Sequence, residues 1–239
     1  MGPCTVFVGV WPLTALTHPS PNFGPRRGGV TPDLIVLHYT AMSSAQAACR
    51  TLCNPDTEVS AHYLIAEDGA VMSLVAEDMR AWHGGAGRWG DVVDVNSRSI
   101  GIELANDGLS PFSAPLMDSL TGLIGAIMAR WGIPAHRVIG HSDMSPARKI
   151  DPGVRFDWCR LARVGLSVWP HVGRDAPLWR FAELMARFGY TATDDADLLL
   201  DCFRRRFRPH ADGPLDAVDL AMIADLAQRF PVDQSESTA

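Results

Sequence analysis

From about residue 33 to residue 166 the chain alternates short apolar runs with helical periodicities, and beyond that only helical periodicity remains. The stretch "DLIVLHYTAM" (33–42) is continuously apolar until it meets His38, as in a strand buried on both faces that ends at a site. A helix is predicted over about 43–52, capped by Ser44. "VSAHYLIAEDGAVMSLV" (59–75) reads as two short strands joined at Asp68-Gly69, because Asp-Gly supplies the positive φ of a tight hairpin turn. In "SIGIELAND" (99–107) a further apolar strand encloses Glu103, and a carboxylate in that setting needs a reason. "PLMDSLTGLIGAIMARWG" (115–132) has helical spacing and stops at Gly132, and "HRVIGH" (136–141) is a short strand delivering His141.

Strands interleaved with helices imply an α/β class, a mixed central β-sheet flanked by helices. Downstream, "SVWPHVGRDAP" reads as a linker, followed by three amphipathic helices in "LWRFAELMARFGY", "DDADLLLDCFRRRFRP" and "PLDAVDLAMIADLAQRF". The expected organisation is an N-terminal extension (1–19), a main domain (20–167), a linker (168–176), a small three-helix unit (177–231) and a disordered tail (232–239). In "CFRRRFRP", Phe203 and Phe207 are expected in a core, with Arg204, Arg205, Arg206 and Arg208 on a solvated face.

Composition narrows the functions open to such a chain. A net charge of −6 offers no overall basic field, which argues against nucleic acid as a partner. No stretch approaches the roughly 18 apolar residues of a membrane span. The N-terminus lacks a basic region and a clean cleavage site, so a cytoplasmic location is expected, or a periplasmic one if the true start lies upstream. Five cysteines without a C-x-x-C pair suggest neither a disulfide framework nor a thiolate zinc site.

The chemistry is concentrated in "VIGHSDMSPARKIDPG" (138–153), where His141, Lys149 and Asp151 share one loop. With His38 from the first strand, His141 and Asp151 offer two imidazoles and a carboxylate, a three-ligand set that suits a catalytic zinc with an open position. By spacing alone the two histidines can equally be ordinary buried ones.

The stretches "LIVLHYT", "SAHYLI", "AWHGG", "NSRSIGIELAND" and "VIGHSDMSPARKIDPG", in this order, resemble the zinc-dependent N-acetylmuramoyl-L-alanine amidases of the amidase type 2 family over about residues 20–165. The region "RFGYTATDDADLLLDCFRRRFRPHADGPLDAVDLAMI" resembles the peptidoglycan-binding-type helical module carried by some members. The resemblance implies Zn²⁺ held by His38, His141 and Asp151, with Glu103 handling the attacking water and Lys149 stabilising the oxyanion. Aspartate as third ligand matches the AmpD and AmiD branch rather than the phage enzymes that use cysteine. Tyr39, Thr40, His62, Trp82, His83, Asn106 and Arg148 are candidate substrate contacts, although His62 and Trp82 are equally readable as packing residues and Arg148 as an exposed loop arginine.

The function implied is hydrolysis of the amide between the lactyl group of N-acetylmuramic or anhydromuramic acid and L-Ala of the stem peptide, in bacterial cell-wall recycling. Peptidoglycan fragments (muropeptides) are the expected partners and a monomer the expected state. The rival reading is a zinc-less protein that recognises muropeptides without cutting them.

Overall fold

A computed structural model describes residues 17–171 and 177–232. Most of the expected N-terminal extension, the second half of the expected linker and nearly all of the expected tail lie outside the described residues. The strands are β1 (Phe23–Pro25), β2 (Leu34–Tyr39), β3 (Tyr63–Ile65), β4 (Val71–Ser73), β5 (Met79–Ala81), β6 (Ser99–Leu104) and β7 (Val138–Gly140). The helices are α1 (Ala45–Leu52), α2 (Val95–Arg98), α3 (Ala114–Trp131), α4 (His141–Met144), α5 (Trp158–Arg163), α6 (Phe181–Phe188), α7 (Ala196–Phe207) and α8 (Ala217–Arg229). One sheet has the order β4-β3-β6-β2-β7, and β1 pairs with β5 separately. Strand β2 runs parallel to β6 and β7, and β3 and β4 form the antiparallel hairpin turned at Gly69 (φ 89°).

The apolar run of β2 is explained by layers on both sides of it. Ile35 and Leu37 pack with Ile100 and Ile102 against Leu120 and Ile124 of α3. Leu34 and Val36 point the other way, as strand alternation requires, into a core shared with Phe188, Phe203 and Leu226 of the last three helices. His38 continues this second face, and the β2–β6 register puts Ser99, Gly101 and Glu103 opposite Leu34, Val36 and His38. The site residues therefore share a face with the C-terminal helices.

That shared core corrects two expectations. The three helices form where their periodicity predicts, and they pack both on one another and on the sheet. Buried Val168 and partly buried Trp169, placed in the linker by sequence, belong to this core, and the Val232 N–H donates to the Arg187 carbonyl at 2.8 Å. Nor are all four arginines of this stretch a solvated face: Arg204 and Arg206 are interior. Arg204 is buried against Asp219 (2.6 Å) and Arg206 against Asp143 (2.6 Å), while Arg205 pairs with Asp201 and Arg208 with Asp216 and Asp219. Three of these acids stand near the run in sequence but Asp143 is 63 residues away, so local charge counting reads a surface where folding buries Arg204 and Arg206.

Phe203 is fully buried between Phe181 and Phe207 in this core. Phe203→Ala is expected to cost about 3–5 kcal/mol. Denaturant unfolding followed by far-ultraviolet dichroism and by tryptophan emission should show one coincident transition, and two separated transitions would contradict a core common to sheet and helices.

Candidate active site

His38 is the penultimate residue of β2, β7 runs directly into α4 with His141 as its first residue, and the following loop returns Asp151 to the same point. The loop is closed by its backbone: the Ser142 N–H donates to the Asp151 carbonyl at 2.9 Å and the Lys149 N–H to the Ser145 carbonyl at 3.0 Å. As a result His38 Nδ1, His141 Nδ1 and Asp151 Oδ2 form a triangle with every side 3.0 Å. All three residues are buried, and they are the metal-capable cluster among the described residues.

The protons around this triangle can be placed from the hydrogen-bond partners. His141 Nε2 lies 2.9 Å from the Gly84 carbonyl, which only accepts, so Nε2 carries the proton and Nδ1 a lone pair. For His38 the reasoning runs through two more residues. The Ser99 hydroxyl donates to the Val95 carbonyl at 2.6 Å, so Ser99 Oγ accepts from His83 Nε2 at 3.1 Å. His83 Nδ1 is then an acceptor, and His38 Nε2 donates to it at 3.0 Å. His38 Nδ1 is therefore bare as well. Burial first, and then the neighbouring His141, push the His38 imidazole down to about 4, and burial keeps His83 neutral too. Two imidazole lone pairs and a carboxylate oxygen at 3.0 Å with no proton among them fit a cation and little else.

Glu103 stands beside His38 in the β2–β6 register. Burial, with the charge of Asp151 adding to it and Lys149 opposing, pushes its carboxyl up to about 8. Its Oε2 is buried without a partner, an arrangement that suits a group waiting for a reactant. The three donors, Glu103 and Lys149 line one cavity of about 420 Å³, together with Tyr39, Thr40, Trp82, His83 and Arg148.

Not every candidate contact reaches that cavity. His62 is fully buried behind it, accepting from the Gly101 N–H at 2.9 Å and facing the Met79 carbonyl at 3.1 Å, so packing wins over substrate contact. Asn106 accepts from the Gly108 N–H at 2.7 Å and shapes the loop after β6 without lining the cavity. His83 touches the cavity, but both of its nitrogens are committed to His38 and Ser99. Arg148, although exposed, donates to the Ala86 carbonyl and pins the loop that receives His141.

Ser99 and Gly101 were missed as site residues by sequence reading. A Cβ on Gly101 would stand 2.4 Å from the His83 ring, so this position admits no side chain. The available signal was one face of β6, where Ser99, Gly101 and Glu103 are all non-apolar in an otherwise apolar strand.

This geometry can be set beside known proteins. Residues 28–154 match the Amidase_2 family, described as N-acetylmuramoyl-L-alanine amidase. The chain belongs to this amidase family. AmiD of Escherichia coli is 32% identical over 234 residues, 84% of either chain. The structure of E. coli AmiD with the substrate anhydro-N-acetylmuramic acid-L-Ala-D-gamma-Glu-L-Lys superposes with a TM-score of 0.78 at 28% identity, covering 89% of this chain and 99% of that one. AmpDh3 of Pseudomonas aeruginosa in complex with anhydromuramic pentapeptide gives 0.76 at 29% identity, covering 85% and 94%. The mixed sheet flanked by helices is thus the fold of these amidases. Among the described residues, no helix of the amidase is long and apolar enough to cross a membrane.

Two outcomes are expected from the site's geometry. Ser99→Ala leaves His83 without its acceptor, and Gly101→Ala drives a methyl group into its ring. Either should weaken metal binding about 10–100-fold in chelator competition, the range seen when the partners of metal ligands are lost. The second concerns pH in the chelated protein. Glu103 releases its proton at about 8 when folded against 4.5 when unfolded, so the folded state binds more protons and stability falls as pH rises between these values. His38, at about 4 folded against 6.5 unfolded, has the opposite slope, complete by pH 6.5. The melting temperature of the chelated amidase should therefore fall between pH 6.5 and 8, and Glu103→Gln should flatten that decline.

Proposed function

We propose that the amidase is a zinc enzyme that cleaves the amide between the lactyl group of N-acetylmuramic or 1,6-anhydromuramic acid and the L-Ala of the stem peptide, acting on muropeptides released in wall turnover. The observation that carries this reading is the proton-free triangle of His38, His141 and Asp151 beside a buried, unpartnered Glu103 carboxyl. Three donors about 2.0–2.2 Å from a tetrahedral ion lie roughly 3.3–3.6 Å apart, so the 3.0 Å triangle needs only slight opening to hold Zn²⁺ through two imidazoles and a carboxylate. The AmiD and AmpDh3 complexes, with anhydromuramoyl peptides as their ligands, support the substrate class.

When bound, zinc supplies Lewis-acid polarisation of the scissile carbonyl and lowers the pKa of an attacking water toward about 7. The chain's residues do the rest. Glu103, on the strand next to the His38 ligand, takes the proton of the attacking water and returns it to the departing L-Ala nitrogen, which must leave as an amine. Burial raises this carboxyl to about 8 in the metal-free site, and the charge of a bound cation would draw it back toward the ionised form that accepts a proton. Lys149 borders the same cavity and brings positive charge to the oxygen that becomes negative in the tetrahedral state. Tyr39, Thr40 and Trp82 form cavity walls suited to sugar and peptide, with Trp82 held by its N–H donating to Ser60 Oγ at 2.9 Å. We assign His83 to support of His38 rather than to the substrate.

The test is mass spectrometry of an anhydromuramoyl tripeptide incubated with the purified chain. Release of the free tripeptide should cease on chelation and return with added zinc. Glu103→Gln should keep the metal while turnover falls about 10²–10⁴-fold. An intact substrate with zinc bound would favour a recognition protein, and equal cleavage of a sugar-free peptide would mean a different amide substrate.

A further inference from the structure

The helix that presents His141 spans only four residues, His141–Met144, too few to hold its own orientation. What holds it comes from the end of the chain. Asp143, nearly fully buried, accepts from three donors: the Gly140 N–H at 2.8 Å and the Arg206 guanidinium at 2.6 Å through Oδ2, and the Tyr190 hydroxyl at 2.7 Å through Oδ1. Arg206 also donates to the Val138 carbonyl at 3.0 Å in β7, and its guanidinium lies 4.1 Å over the Trp158 ring. Cys202, one turn earlier in α7, directs its thiol to the Ser142 carbonyl at 3.1 Å. Residues on both sides of His141 are therefore gripped by α7 or by the turn between α6 and α7.

We propose that α7 and the turn before it serve as a brace for the metal site, with Arg206 and Tyr190 as positioning residues that set the direction of the His141 lone pair through Asp143. The chemistry favours this over mere packing. Arg206 and Asp143 form a fully desolvated ion pair whose geometry is fixed by the planar guanidinium and its further bond to Val138. A metal–imidazole bond tolerates little misdirection, and partners beyond the ligand itself change metal affinity. The fold also supplies its own control. Two residues before Arg206, Arg204 makes an equally buried pair with Asp219 at 2.6 Å, but this one joins α7 to α8 and has no bond to α4.

The inference rests on His38, His141 and Asp151 being metal ligands, so the experiment reads both. Zinc affinity of the full chain is measured by competition with a chromogenic chelator, at a temperature where circular dichroism shows each variant folded. Tyr190→Phe and Arg206→Gln should each weaken zinc binding about 10-fold, with Arg206→Lys between Arg206→Gln and the parent. Arg204→Lys should lower the melting temperature while leaving the affinity unchanged. If Arg206→Gln does not fold, Tyr190→Phe and Arg206→Lys carry the comparison. Unchanged affinity in both, or an equal loss in Arg204→Lys, would overturn the brace. A parent chain that takes up no zinc would overturn the metal reading, and this inference with it.

Discussion

Three electron-pair donors held 3.0 Å apart with no proton between them repel one another, and the protein must keep them together until a cation joins them. Each donor is accordingly immobilised from behind. The rear nitrogen of His141 is bound to the Gly84 carbonyl, and that of His38 begins a chain through His83 and Ser99 to the Val95 carbonyl. Asp151 is anchored by its own backbone, through the bond from Ser142. The tautomers follow from these partners, and the tautomers decide that the lone pairs face inward.

The same constraint explains the composition of one sheet face. Beneath the site, β6 offers Ser99, Gly101 and Glu103 on one face, a hydroxyl for His83, room for its ring and a buried carboxyl. An apolar side chain at any of the three would strengthen the core locally and remove one part of the machinery. Glu103 is left with a buried oxygen lacking any partner, and its pKa rises to about 8 in consequence. That is an unfavourable arrangement for stability and a useful one for moving protons near neutral pH.

The last three helices join this face rather than standing apart from it. Their aromatic residues complete the core over Leu34 and Val36, and their arginines enter it as ion pairs. A buried pair gives little net stability relative to an apolar replacement, but losing one partner strands a charge, so such pairs specify a geometry more than they strengthen it. Asp143, next door but one to His141 and bonded to a residue 63 positions away, is such a specification.

Sequence by itself determined a good deal here. The both-faces-apolar run of β2, the Asp68-Gly69 hairpin, the helix caps at Ser44 and Gly132 and the periodicity of the last helices follow from local stereochemistry and burial, and they appear where pattern predicts. The motif stretches around His38, Glu103 and His141, taken whole and in order, also resemble the amidase type 2 family, and residues 28–154 match it. Only the tertiary structure decided which residues support the site from outside the motifs. Whether His83 faces substrate or the back of His38, whether His62 reaches the cavity, and whether Arg206 meets water or a buried aspartate all turn on partners distant in sequence. Local pattern records how a segment prefers to fold, whereas a hydrogen bond or a desolvated ion pair exists only once two segments have met.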